Sequence, residues 1–367
     1  MARLQAVGPC IPAVSIVGIG TALPPRRLSQ ADAWAWALDH IPLTPVTREL
    51  YERVLGDPGI ATRHLALDDL SELLETNHDT VIARFERWAG ELSARSLARA
   101  LEVAGVEAAS VDFLAATTCT GYLCPGLTSY VMERAALRPD VRRVDVVGMG
   151  CGAAMPALEQ ACHFLAAHPD GTAAVVSTEI CSAAVFLGDA PELVISNTIF
   201  GDGSAAAILR RADRLPASRA GARCPTFLGF RSLTLPEWRN TLRFRTEGGH
   251  LRNVLSRDVP IRAGVACKRL VLELLGEHGV GIDAVRHWVM HAGGRLVLDA
   301  IERALELPAV ALEAARAVLH DVGNLSSPTV LFVLDEEQRR RPPAPGDLGI
   351  LSAFGAGFAA HAALVEY

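Results

Sequence analysis

Short apolar runs that end in glycine or proline alternate along this chain with longer stretches whose apolar residues fall three and four positions apart. Val14 to Gly20 is such a run, closed by Gly20, Pro24 and Pro25, and it predicts a buried first strand entering a loop. From Asp79 to Gly105, the residues Val81, Phe85, Trp88, Leu92, Leu97 and Leu101 mark one face of a helix that Gly105 would stop. β-Prone runs follow at Phe113 to Thr118, Val144 to Val147 and Ala173 to Ser177, with helical spacing between them, as at Ala153 to Ala167. This alternation predicts a mostly parallel sheet covered by helices.

Residues 211–225, rich in Arg, Ala and Pro, read as a linker, and a second series with the same plan follows. Strands are expected at Trp288 to Met290, Thr329 to Val333 and Ile350 to Ser352, and helices at Gly264 to Gly276 and Leu296 to Leu305. The chain thus divides into halves, 1–212 and 225–367, that look like copies of one design. No short-period repeat is present, which argues against a solenoid. The longest apolar tract, Gly349 to Val365, contains Ser352, His361 and three glycines, and reads as buried strand and turn rather than a membrane span.

Composition narrows the function classes. The 367 residues are 50% hydrophobic and 21% charged, a balance that supports a large packed core and excludes disorder or a disulfide mini-scaffold. A net charge of −6 offers no basic field for nucleic acid or an anionic membrane, so small molecules and proteins are the expected partners. Lys268 is the only lysine, which leaves anionic ligands to arginine or backbone amides. Eight cysteines, Cys10 among them, show no paired CxxC spacing, and the N-terminus has no cationic segment leading into an apolar core. Reduced thiols in the cytoplasm are expected.

The densest chemical signal is VDVVGMGCGAAMPALEQACHFLAAH (144–168): an apolar strand, small residues on both sides of Cys151, then a helix. A thiol on such an elbow is expected above the sheet, where the helix N-terminus draws its pKa below the free value of about 8.5. The competing reading is that a free cysteine packs as a small buried hydrophobe. A thiolate nucleophile also needs a base and a group that meets developing negative charge. His291 closes HWVM and opens HAGG, where a ligand can approach the backbone at Gly293, and Asn324 stands ahead of the expected strand at Thr329. Alone, each is more simply a solvated loop histidine or a turn. What joins them to Cys151 is order and spacing, 140 residues (291 less 151) and then 33 (324 less 291).

Cys, His and Asn in that order, at closely similar separations, characterise the type III polyketide synthases, the chalcone synthase superfamily, which this chain resembles; the related ketoacyl synthase III enzymes have shorter gaps. The resemblance runs through TTCTGYLCPG (117–126), VVSTEI (175–180), FGDGSAA (200–206), HAGG, GNLSSPTVLFVLDE and FGAG (354–357), nearly the whole chain. It implies an α/β fold, the thiolase-like αβαβα sandwich of two similar halves, and a homodimer. It also implies that Cys151 carries the growing acyl chain and that His291 holds the thiolate as an ion pair. His291 and Asn324 would donate hydrogen bonds to a malonyl thioester as it loses carbon dioxide. No metal or redox cofactor is implied, and no ligand spacing suggests one; CoA thioesters are the substrates.

By the same resemblance Phe200 matches a gatekeeper aromatic, with core packing as its plainer reading. Thr120 and Ala184 match cavity walls, Ser326 a neighbour of the nucleophile, and Cys124 a loop residue that reaches the partner subunit's cavity. A second aromatic expected ahead of the DVP sequence is replaced by Asn253, so the gate is altered. Three basic carrier-binding positions fall on Leu50, Arg53 and Asp57, of which only Arg53 is basic. Arg63 or Arg295 are candidates to substitute, against a plain surface role, and an acyl carrier protein is an alternative donor. Ala356 stands where the family usually has proline, closer to the ketoacyl synthase III pattern.

The reading is an acyltransferase that extends an acyl thioester iteratively with malonyl-CoA to a pyrone or phenolic product. The alternative is a ketoacyl synthase III-like acyltransferase or single-step condensing enzyme using CoA or carrier-protein thioesters. An inactive partner subunit is a third possibility, against which the complete Cys151, His291 and Asn324 set argues.

Overall fold

The computed structural model describes residues 12–215 and 224–367, so Cys10 and much of the expected linker lie outside the described residues. The first series holds β1 (Val14–Ala22), β2 (Arg26–Ser29), α1 (Gln30–His40), α2 (Pro45–Leu55), β3 (Thr62–Leu65), α3 (His78–Ala104) and β4 (Phe113–Thr118). It continues with α4 (Leu127–Arg134), β5 (Arg142–Val147), α5 (Ala154–Ala167), β6 (Ala173–Glu179), α6 (Pro191–Ile199) and β7 (Gly203–Arg211). The second series begins with β8 (Thr226–Thr234), β9 (Leu242–Glu247), β10 (His250–Leu255), α7 (Val259–Glu277) and β11 (Val285–Met290). It ends with α8 (Arg295–Leu305), α9 (Glu313–Val322), α10 (Thr329–Arg340), β12 (Leu348–Gly355) and β13 (Ala359–Glu366).

Nine strands run in the order β11-β12-β13-β8-β1-β7-β6-β4-β5. The seam is short: β1 meets β8 through Val14 opposite Phe227 and Ser15 opposite Thr226, whose hydroxyls lie 2.8 Å apart. Outward from that seam β1-β7-β6-β4 is mirrored by β8-β13-β12-β11, the duplication expected from the sequence. Helices α5 and α10 each touch strands of both halves, while α3 covers β1, β6 and β7 and α7 covers β8, β12 and β13. The result is the five-layer αβαβα sandwich. Ala154, Ala157 and Ala161 of α5 are fully buried, and side chains this small let both sheets close on the central helix.

Gly105 ends α3 in the left-handed conformation at φ 61°, as its place in the sequence predicts, and at the other end Asn77 caps the helix by accepting from the Asp79 and Thr80 amides at 2.9 and 3.3 Å. Two expectations fail. The sheet is mixed, since β4 pairs parallel with β5 and β6 and β11 with β12, but every pair involving β1, β7, β8 or β13 is antiparallel. The segment expected as a strand at Thr329 to Val333 is the start of α10. Its first six residues are all buried in the central layer, and a helix apolar on every side shows the same unbroken run as a buried strand.

Candidate active site

β5 runs through Gly148 into a single 3₁₀ turn, Gly150–Gly152, and then into α5. Gly150 sits at φ 61°, and a Cβ there would come within 3.0 Å of the Ala356 amide. A Cβ on Gly355 would lie 2.4 Å from the Met149 carbonyl and 3.0 Å from the Cys151 amide. The loop after β12 therefore backs the turn that carries Cys151, at a separation only glycine permits.

Cys151 is 7% exposed and faces a cavity of about 540 Å³, open solvent at its mouth included. Burial pushes its thiol up to about 12; the Ser326 hydroxyl opposes this and the Glu179 carboxyl adds to it. The sequence expectation of a lowered pKa is thus reversed, because withdrawal of the sulfur from water outweighs the helix terminus. His291 follows β11, its amide donating to the Ser352 carbonyl at 2.8 Å. Its ring is 1% exposed, meets Phe354 edge-on with centroids 5.2 Å apart, and has no hydrogen-bond partner at either nitrogen. Burial draws its pKa down to about 3. Both shifts favour thiol and neutral imidazole over the expected ion pair.

Asn324 precedes α10. Its Nδ2 donates to the Gly293 carbonyl at 3.2 Å, and its Oδ1 accepts from the Ser326 amide at 2.8 Å. That bond helps hold Ser326 at φ 61°, a backbone region that serine rarely adopts. Hydrogen bonds thus run from the His291 carbonyl through Gly293, Asn324 and Ser326 to Cys151. Beside them lies Glu179, fully buried at the end of β6. Its carboxylate accepts from the Cys119 and Thr120 amides at 2.9 and 3.1 Å and from the Thr120 and Ser327 hydroxyls at 2.9 and 2.7 Å. Thr118 and Ser326 add longer bonds of 3.3 and 3.4 Å. Burial raises its pKa against these donors.

The family described as FAE1/Type III polyketide synthase-like protein matches residues 42–223, and that described as chalcone and stilbene synthases, C-terminal domain, matches 232–366. The chain is 34% identical to a 1,3,6,8-tetrahydroxynaphthalene synthase of Streptomyces peucetius subsp. caesius, over 96% of this chain and 93% of that one. The chain belongs to the type III polyketide synthase family. It is 31% identical to the alpha-pyrone synthesis polyketide synthase-like Pks18 of Mycobacterium tuberculosis, over 97% and 92% of the two chains. The crystal structure of the Streptomyces coelicolor tetrahydroxynaphthalene synthase superposes with a TM-score of 0.86 at 25% identity, covering 96% of this chain and 99% of that one. As a type III polyketide synthase the protein is an acyltransferase-class enzyme that condenses malonyl units iteratively into a polyketide.

Of the positions read from this family, Thr120, Ala184, Phe200 and Ser326 fall in the cavity wall with Cys151. Phe200 is bridged to Asn324 and also borders a second, mostly apolar cavity of about 580 Å³, open solvent included, beneath α1 and α2. His291, Gly293 and Asn324 adjoin the cavity through Ser326 and Phe200. Cys124 is exposed and away from the cavity, as is Arg53, in the last turn of α2. Of the two arginines considered as substitutes for the carrier site, Arg63 is excluded. It is 5% exposed and donates to the carbonyls of Asn197 and Phe200, both at 2.9 Å, and to Gln30. Arg295 is at the surface but forks onto Asp57 at 2.6 and 2.9 Å, so the acid at a family basic position is neutralised by the arginine.

Sequence reading missed Glu179, Ser327 and the thiols Cys119 and Cys181, which also line or adjoin the cavity. A signal for the first existed, a carboxylate closing the otherwise uncharged run VVSTEI. Among the described residues no group of three or more His, Cys, Asp or Glu is placed to hold a metal ion, and no helix is long and apolar enough to cross a membrane.

Proposed function

We propose that Cys151 accepts an acyl group from a CoA thioester and that His291 and Asn324 serve its extension by malonyl-CoA to a pyrone or phenolic product, with no cofactor beyond the CoA substrates. The observation that carries this is a buried imidazole without a partner, on a residue whose backbone is joined through Gly293, Asn324 and Ser326 to a cysteine in a cavity wall.

In loading, the Cys151 sulfur attacks the thioester carbonyl while its proton passes to the neutral His291 imidazole. The new carbon–sulfur bond forms, the bond to CoA breaks, and the departing thiolate takes the proton back. In extension, the carbon–carbon bond to the malonyl carboxylate breaks, carbon dioxide leaves, and the electron pair becomes an enolate. Its oxygen accepts from His291 and from the Asn324 amide, whose two N–H groups are only half used by Gly293. The enolate carbon attacks the Cys151 thioester, the carbon–sulfur bond breaks with its electron pair on sulfur, which takes a proton from solvent, and the lengthened chain leaves on CoA and reloads onto Cys151 for the next extension.

Relatives of this family form homodimers, and β5 suits that role here. It is the last strand of the sheet, half of its residues are exposed, and Val147 and Tyr122 beside it are 51% and 72% exposed. A monomer in sedimentation equilibrium would refute the dimer. The test of the chemistry is intact-protein mass spectrometry after exposure to acyl-CoAs and acyl carrier protein thioesters. An acyl adduct on Cys151, absent in Cys151→Ala, and products with several malonyl units are expected. Adducts elsewhere would overturn the role of Cys151, and products of one extension would favour a single-step enzyme.

A further inference from the structure

We propose that Asn253 bonds the enol hydroxyls of the chain as it lengthens, and so determines how many malonyl units the product contains. The inference rests on the condensation chemistry above. Asn253 lies on β10 opposite Phe244 of β9, and the hairpin brings Leu242, Arg243, Phe244 and Asn253 into the wall of the cavity that holds Cys151. The side chain is 93% withdrawn from solvent, at 7% exposure, and its Oδ1 has no hydrogen-bond partner.

The other uncharged polar side chains in that wall are committed to the protein. Thr120 donates to Glu179 at 2.9 Å, Ser196 to the Leu193 carbonyl at 3.0 Å, and Asn197 to the Tyr51 hydroxyl and the Phe186 carbonyl at 3.1 and 3.2 Å. Ser326 donates to Glu179, and even Arg243 is engaged by Asn240 at 3.0 Å. A buried amide oxygen left unpaired carries a desolvation cost that is recovered only when something in the cavity donates to it.

Chemistry identifies that occupant. A plain alkanoyl starter has no oxygen beyond its thioester carbonyl, whereas each malonyl unit leaves a carbonyl on every second carbon. The unpaired Oδ1 is an acceptor, so it bonds the O–H of the enol tautomer of such a carbonyl. A site built to bond an oxygen discriminates strongly against a chain that lacks it. Asn253 therefore acts on extended intermediates and distinguishes them from the starter.

The test supplies one acyl-CoA and carbon-13 malonyl-CoA to the wild type and to Asn253→Leu, with Asn253→Thr and Asn253→Val as a pair matched in shape. Products are sorted by the number of labelled units. The ratio of products with two or more units to products with one should fall at least about tenfold in Asn253→Leu and Asn253→Val, a factor that corresponds to about 1.4 kcal/mol, and less in Asn253→Thr. A wild-type ratio in Asn253→Leu overturns the proposal. Equal shifts in the Thr and Val variants also overturn it, because shape alone would then account for them, and this pair decides if the leucine variant does not fold. A wild-type protein that takes no acyl group on Cys151 refutes the underlying reading instead, and intact mass recognises that case.

Discussion

Glu179 and His291 are both fully buried ionisable groups in the neighbourhood of Cys151, and the fold surrounds them in opposite ways. Glu179, on the N-terminal half, accepts from amides and hydroxyls of Thr118, Cys119, Thr120, Ser326 and Ser327, so the protein itself offsets the cost of burying it. His291, on the C-terminal half, has an aromatic edge beside it and no polar partner. A group whose partners are all internal ties the two halves together, here through Ser326 and Ser327. A group with none is an uncompensated cost that a substrate can remove.

The largest effect expected from this contrast is on turnover. His291→Leu should lower condensation by roughly 10²–10⁴-fold, the usual range for a lost acid–base group, while the thermal midpoint holds or rises because an unsatisfied buried group has gone. A midpoint several degrees lower would show that the imidazole is held by the protein and would remove the contrast. Glu179→Leu should do the reverse in stability, strand several donors, and cost about 3 kcal/mol in urea unfolding. Wild-type stability in that variant would show that the hydrogen-bond cluster contributes little.

Acid sharpens the comparison. His291 titrates near 3 in the folded chain and near 6.5 unfolded, so below 6.5 the unfolded state binds more protons. The stability its neutral burial implies is complete above about pH 6.5 and is lost progressively as pH falls towards 3. Burial also draws His361, which accepts or donates at Ser232 at 2.8 Å, down to about 4, so it steepens the same window. Unfolding free energies measured from pH 7 to pH 4 should decline, and less so in His291→Leu. Equal slopes would mean that the imidazole is not buried as described. The thiol gives a complementary reading: with Cys151 pushed up to about 12, its alkylation rate should still climb above pH 9. A plateau below pH 7 would indicate an imidazole–thiolate pair already formed.

How far these sites could be read from residues alone follows the same division. Cys151, His291 and Asn324 were legible because each sits at a turn marked by glycine, at spacings that their order made recognisable. The thiol's state was not, since burial is a property of the two sheets closing over the elbow and leaves no local trace. The role of Glu179 leaves no local trace, because its donors come from sequence positions about 60 and nearly 150 residues away. The helix at Thr329 was mistaken for a strand because its buried face is its whole circumference at that end. Antiparallel β7 and β13 were missed because a buried strand reads as the same apolar run in either direction.

The smallest effect concerns two arginines that repeat the contrast at the surface. Arg295 is engaged by Asp57 and Asp299, whereas Arg53, exposed at the end of α2, makes no ion pair among the described residues. An anionic carrier arriving at this face meets Arg53 without displacing a carboxylate, and only a few-fold in affinity is available from one exposed charge. Arg53→Glu should therefore raise the KM for acyl-CoA roughly three- to tenfold, with a smaller change in kcat, and the increase should shrink as salt screens the new repulsion. The rate of Cys151 alkylation by a neutral reagent, which needs no phosphate contact, separates a carrier effect from a changed cavity. A KM that does not move, at low salt and with alkylation intact, would take Arg53 out of carrier binding and make the backbone amides or a protein-borne carrier the means of holding the thioester.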